Sequence, residues 1–395
     1  MKPALTLLTT LLLAPMAALY AADLPALQPP QHLGAPKAEH AVTRRAFTGI
    51  PSLTITARGR LWAVWFAGIT PAEDKNSYVV VATSGDKGKT WKEVLAIDPD
   101  GTGPIRAFDP QVWIDPEGKL WVFWTQRSIH EENHMLVSIT TSDADSDHPS
   151  WSAPRHLTDG IMVNKPLVLS SGEWILPAST YRTADSVKTV VSTDRGQTWT
   201  VRSSVNVPEE VRVPDEPMIV ERKDGSLWML VRTRYGIGQT VSKDKGSSWT
   251  PLEPSKIQHT PSRFFIRRLA SGNLLLVKHG PIHTKTGRSH LMAFISKDDG
   301  LSWSKGLLLD EREWVSYPDG QQARDGTIYI AYDYLRKKRQ LILMTSFTED
   351  DVMADDYDAR IVEVFRRRRV ISDGGEKEDS GPNPKPPAVA KEPAP

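Results

Sequence analysis

Six times in this chain a turn glycine opens a short apolar run, at an almost constant interval. The copies read RGRLWAVW at Gly59, EGKLWVFW at Gly118, SGEWILPA at Gly172, DGSLWMLV at Gly225, SGNLLLVK at Gly272 and DGTIYIAY at Gly326. The intervals are 59, 54, 53, 47 and 54 residues. A period near 53 residues is too long for one hairpin and suits a four-stranded sheet with its loops. Runs such as Leu61-Trp62-Ala63-Val64-Trp65 and Val79-Val80-Val81-Ala82 read as strands. No segment shows a convincing amphipathic helix of ordinary length. The expectation is an all-β chain, a six-bladed β-propeller.

A second motif follows in four of the repeats: SGDKGKTW at residues 84–91, STDRGQTW at 192–199, SKDKGSSW at 242–249 and SKDDGLSW at 296–303. A degenerate copy, SDADSDHPSW, ends at Trp151, and the sixth repeat lacks the motif. Its logic is turn chemistry: the aspartate caps nearby backbone, the glycine supplies a positive φ, and the tryptophan buries its ring. These are Asp boxes. They specify structure, so their aspartates are poor catalytic candidates.

The ends differ from the repeats. Lys2, an apolar run over residues 5–19 and then Ala21-Ala22-Asp23 read as a signal peptide over residues 1–22, too short to span a bilayer. The propeller is assigned to residues 23–372. Residues 373–395, rich in proline, glycine and charge, read as a disordered tail. Export to the periplasm or medium is expected. With no cysteine in 395 residues, stability must come from the core. A net charge of +1 does not point to nucleic acid. No membrane span and no cofactor are expected, and a monomer is. His130, His134, His279, His283 and His290 have no metal-ligand spacing, and the GIG at Gly236 lacks a following helix pattern.

In a propeller the first strand of every blade lines one central channel, so equivalent repeat positions meet around an axis. Eight to ten residues before the turn glycines stand Gly49, Asp109, Asn164 (followed by Lys165), Glu216, Arg263 and Tyr317. Acids, bases and a phenol facing one well suit a carbohydrate site.

Over roughly residues 45–350 the chain resembles the bacterial exo-α-sialidases, and within them an atypical branch of secreted Asp-box proteins. FTGIPSL at residues 47–53 resembles the family's Arg-Ile-Pro strand, with Gly49 where the arginine stands. The loop PAEDKNSY at residues 71–78 is similar to the loop of the acid/base aspartate, which implies that role for Asp74, with Glu73 its rival. The segment from Asp215 through Arg232 is similar to the family's Asn-Glu segment and its following arginine. It implies Glu216 as general base and Arg232 as a carboxylate-binding arginine, with Asp215 where asparagine is usual. GRSHLMAFIS implies a further arginine at Arg288, and VSYPDGQQARDGTIYIAYD a tyrosine nucleophile at Tyr317.

The chemistry agrees with the resemblance. A sialic acid carries a carboxylate on its anomeric carbon, which repels an anionic nucleophile but not a neutral phenol. Tyrosine, with a pKa of about 10, needs a carboxylate beside it to take its proton. Sialidases depart from the two-carboxylate rule in this way, and arginine matches a carboxylate in bidentate fashion. The implied function is removal of terminal sialic acid, or a related ulosonic acid, from glycans with retention. Two alternatives stand beside it: a propeller glycosidase or lyase acting on a uronic or neutral sugar, and a non-catalytic glycan-binding propeller. A carboxylate needs compensation for the arginine missing at position 49. Among Lys165, Arg263 and Arg106, the first two are favoured for their closeness to the counted ring.

Overall fold

The computed structural model describes residues 25–375. The signal peptide assigned to residues 1–22 and residues 376–395 of the tail lie outside them. The described chain forms six antiparallel sheets in sequence order around one axis. Blade 1 uses Phe47–Ile55, Leu61–Gly68, Ser77–Ser84 and Lys92–Asp98, and blade 2 uses Ile105–Ile114, Leu120–Ser128, Met135–Thr141 and Arg155–Asp159. Blade 3 uses Leu167–Val168, Trp174–Ser179, Val187–Ser192 and Thr200–Val205, and blade 4 uses Met218–Glu221, Leu227–Thr233, Gly236–Ser242 and Glu253–Pro254. Blade 5 uses Phe265–Arg268, Leu274–His279, Leu291–Ser296 and Leu307–Asp310, and blade 6 uses Val315–Gln322, Ile328–Tyr334, Leu341–Phe347 and Arg369–Asp373. A short strand, His32–Gly34, adds a fifth strand to the outside of blade 1.

The six turn glycines link the first and second strands, and all have φ between 82° and 93°. At each the space beside Cα is open, so conformation and not crowding calls for glycine. The second strands are buried on both faces: every residue of Leu61–Gly68 and of Leu227–Thr233 is buried. Neighbouring blades cover both sides of each sheet, so these strands read as nearly continuous apolar runs. Between blades 2 and 3 the Trp113 and Trp174 rings meet edge to face at 5.0 Å.

The Asp boxes join third to fourth strands in blades 1, 3, 4 and 5. In each, the serine hydroxyl donates to the aspartate, which in turn accepts backbone N–H groups and a hydroxyl further along the turn. In blade 1, for example, the Asp86 carboxylate accepts from Ser84 Oγ at 2.8 Å, Thr90 N at 3.0 Å and Thr90 Oγ1 at 2.7 Å. Strand alternation puts these turns at the turn-glycine end of the channel, away from the strand starts. Blade 6 has helices there instead: α1, Glu349–Met353, and α2, Tyr357–Arg366. This corrects the expectation of no helix. Ile361 and Val364 are buried on α2, whose ten residues gave too short a pattern to stand out.

Blades 6 and 1 close the ring without sharing a strand. Polar contacts stitch the first strand of blade 1 to the first two strands of blade 6: Asp333 Oδ2 accepts from Ile50 N at 2.8 Å and Asp319 Oδ2 from Leu53 N at 2.9 Å. Thr48 N donates to the Arg336 carbonyl at 3.0 Å. This seam runs beside the candidate site.

Candidate functional site

Four residues at the mouth share one unusual backbone. Ile50, Asp109, Glu216 and Tyr317 have φ of 58°, 48°, 43° and 54°, and each precedes a proline. In three blades the inner strand also slips register there, between Gly49 and Ser52, Phe108 and Gln111, and Ser316 and Asp319. Such a bulge re-aims a side chain out of the pleat, and a left-handed non-glycine residue is strain of the kind that gathers at functional sites. The blade 1 equivalent of Asp109, Glu216 and Tyr317 is therefore Ile50, not Gly49.

The counted residues converge in part. Tyr317 Oη donates to Glu216 Oε1 at 2.6 Å. Arg232 Nη1 reaches the same oxygen at 2.6 Å and Tyr317 Oη at 3.3 Å. Glu216 Oε2 and Arg232 Nε are buried with no hydrogen-bond partner among the described residues. Burial first, then the charge of Glu216, raises the Tyr317 pKa, so the resting phenol holds its proton. Burial opposes the charge on Arg232, but Glu216 outweighs it and keeps the guanidinium protonated. Asn164 holds Glu216 from behind, its side-chain amide donating to the carbonyls of Glu216 and Pro217. Asp215 faces away and accepts from Ser179 and Ser186. Arg288 lies 5.8 Å from the Tyr317 ring centre, and among the described residues its side-chain hydrogen bond is to Ser316 Oγ, at 3.3 Å.

Asp109 is buried, and burial, reinforced by Glu73 and Glu216, lifts its pKa to about 7. Asp74 does not join the cluster. Its carboxylate caps its own loop, accepting from Thr70 Oγ1 at 2.5 Å and Asn76 N at 3.0 Å. Its neighbour Glu73 instead turns inward, its carboxylate 3.5 Å from Arg336 Nη1. Arg106 stacks on Phe108 at 3.9 Å and donates to the Glu73 carbonyl at 2.8 Å, so it pins this loop.

Lys165 and Arg263 are engaged elsewhere. Both pair with the wholly buried Asp319, at 2.6 Å and 3.0 Å, and Asp319 also accepts from Ser52 and Leu53. Arg263 further donates to Asn164 Oδ1. The two cations thus form a charge knot in the channel and are not free to compensate at position 49, because one carboxylate already holds both.

Sequence reasoning missed Arg336, Asp333 and Tyr181. Arg336 covers the Tyr317 ring at 4.3 Å and is held by Asp333 at 2.9 Å. Tyr181 has φ of 47° and a buried hydroxyl with no partner among the described residues, and burial first, then Asp109, Glu216 and Tyr317, raise its pKa. The recurring residue-before-proline pattern was the available signal for the cluster. Nothing local marked Arg336, which follows the second strand of blade 6 and lies at the seam with blade 1.

Residues 59–330 match the model of the BNR repeat-like domain. The chain belongs to that family. This BNR propeller is 26% identical over 330 residues to a sialidase of Paraclostridium sordellii, an alignment spanning 72% of this chain and 78% of the relative. Among solved structures it superposes on a Hadza microbial sialidase with a TM-score of 0.64 at 20% identity, covering 78% of this chain and 67% of the other. The intramolecular trans-sialidase of Ruminococcus gnavus, solved with oseltamivir carboxylate, gives a TM-score of 0.63 at 16% identity, over 80% and 97%. The BNR propeller is sialidase-like in family and fold, and its mouth carries the cluster described above.

Proposed function

We propose that the protein is an exo-acting glycoside hydrolase that releases terminal sialic acid, or a related ulosonic acid, through a tyrosine nucleophile. The observation that carries this reading is the 2.6 Å hydrogen bond from Tyr317 Oη to Glu216 Oε1 within a group of guanidinium side chains. A phenol paired with a carboxylate is an activated nucleophile, and guanidinium groups beside it suit a sugar acid. Tyr317 Oη attacks the anomeric carbon as its proton passes to Glu216, so no free tyrosinate is needed at rest. The glycosidic bond breaks, and a carboxylic acid protonates the departing oxygen. Water then attacks the glycosyl–tyrosine and gives a proton to the carboxylate that the acid has become, Glu216 returns its proton to the departing phenolate, and configuration is retained.

For the acid/base we favour Glu73 over Asp74, because Asp74 is committed to its loop. Glu73 is half-exposed at the mouth, and once it has given its proton to the leaving oxygen it is the carboxylate that takes one from the incoming water. Asp109, buried beside it, acts in its neutral form as a donor to a sugar hydroxyl. The leader at residues 1–22 supports export, and a monomer completes the proposal.

The test is incubation with sialosides of several linkages, with free sialic acid detected directly and Tyr317→Phe run in parallel. Release by the wild type, and its collapse in the variant, is the expected result. Release of a neutral or uronic sugar in place of sialic acid overturns the substrate. Near-normal turnover in Tyr317→Phe overturns the nucleophile.

A further inference from the structure

Position 49 carries no side chain, yet the space beside it is filled. A Cβ built on Gly49 would lie 2.5 Å from Arg336 Cδ, 2.8 Å from its Cγ and 3.1 Å from its Nε. These approaches are too close to coexist, so a side chain at 49 and the observed Arg336 exclude each other. Arg336 enters from blade 6, across the seam that closes the ring. Leu335, in the left-handed region at φ 48°, turns the chain just before it. Its stem then runs under the blade 1 strand and its guanidinium emerges over the Tyr317 ring.

We propose that Arg336 is a substrate-binding arginine that replaces, from the neighbouring blade, the one absent at position 49, and that Gly49 is retained to make room for it. The inference rests on the sialidase reading above.

Three observations point the same way. Arg336 Nη2 donates to Ser316 Oγ at 2.7 Å and Arg288 Nη1 to the same hydroxyl at 3.3 Å, so two cations crowd one neutral oxygen. Arg336 is paired with Asp333 and lies 3.5 Å from Glu73, whereas among the described residues Arg288 has no carboxylate within ion-pair distance, so it is the charge of Arg288 beside Arg336 that calls for an anion. Asp333 orients Arg336, accepting from its Nε at 2.9 Å while also accepting from Ile50 N and Ser316 Oγ. The guanidinium is thereby fixed before any ligand arrives, which limits the entropy lost on binding. With Arg232 on the far side of the phenol, three guanidinium groups surround Tyr317.

The test is calorimetric binding of 2-deoxy-2,3-didehydro-N-acetylneuraminic acid and of its methyl ester, which differ only in the carboxylate. The wild type is expected to prefer the free acid, and equal binding of both overturns the sialidase reading itself. Given that preference, Arg336→Met is expected to weaken the acid by about 30-fold or more, the scale for losing one partner of a buried charged contact, with the ester little changed. Gly49→Arg combined with Arg336→Ala, which returns the arginine to blade 1, is expected to restore most of the loss. A preference undiminished in Arg336→Met overturns the assignment of Arg336 and leaves the sialidase reading standing. Gly49→Ala supplies an arm that keeps Arg336 itself. It should weaken the acid when Arg336 is present and have little effect in an Arg336→Ala background. Equal effects in both backgrounds overturn the proposed exclusion. Melting curves on every variant separate lost binding from an opened seam.

Discussion

Replacing Asp319 by asparagine keeps the shape of the side chain and removes its charge. Asp319 is wholly buried, and Lys165 Nζ at 2.6 Å and Arg263 Nη2 at 3.0 Å are almost as deeply buried. Burial raises a carboxyl pKa, but the two cations more than reverse this and hold Asp319 ionised. The variant leaves two buried cations with no counter-charge. Breaking a buried pair in this way costs about 3–5 kcal/mol, because the remaining charge can neither pair nor reach water. A domain of this size has an unfolding entropy of about 0.7 kcal/mol/K, so the melting midpoint should fall by about 4–7 °C. Scanning calorimetry measures the shift. Lys165→Met should cost less in the Asp319→Asn background than in the wild type, with a coupling of about 1–3 kcal/mol. A midpoint within about 1 °C of the wild type would refute the reasoning, given the cost expected for a broken buried pair. So would a Lys165→Met variant of normal stability whose only change is a raised KM, since Lys165 would then serve substrate and not the fold.

Glu216→Gln is expected to lower kcat by about 10²–10⁴-fold in a folded protein, and Tyr317→Phe on top of it should add little, because the pair acts as one unit. Steady-state kinetics on a sialoside check both. The raised Asp109 pKa predicts activity that declines as pH rises through about 7, the limb lost in Asp109→Asn. Its folded value lies above its unfolded one, so the folded state binds the extra proton, and this group's contribution to stability falls as pH rises from near 4 to near 7. A pH–rate profile and pH-dependent melts test the two halves separately. Asp194, in an Asp box, has the opposite sign. Hydrogen bonds, the Thr198 hydroxyl first, lower its pKa from 3.8 to about 2, so its contribution is present above the unfolded value and lost as pH falls between the two. Asp194→Asn should flatten acid unfolding in that window and leave KM unchanged.

Much of the architecture was legible because propeller blades repeat. A turn that needs positive φ writes a glycine at each copy, from Gly59 to Gly326, and an Asp box writes its serine, aspartate, glycine and tryptophan together. These are local requirements, met within a few residues. The same regularity located Asp109, Glu216 and Tyr317 by counting, since one position in each blade faces the axis. Asp74 and Glu73 could not be separated so simply, because adjacent loop residues differ only in where the loop turns them. The charges at the axis were beyond local reading. Lys165, Arg263 and Arg106 are all basic residues near the counted ring, and sequence offered no means to tell which was already engaged. Pairing depends on which carboxylate another blade brings to that depth of the channel, as Asp319 of blade 6 meets Lys165 and Arg263 from blades 3 and 5. Gly49 makes the point most sharply. Its sequence neighbours say only that a side chain is missing, while the reason stands 287 residues away in Arg336. Only closure of the ring puts the two in the same volume, and steric exclusion then decides which of them carries the side chain.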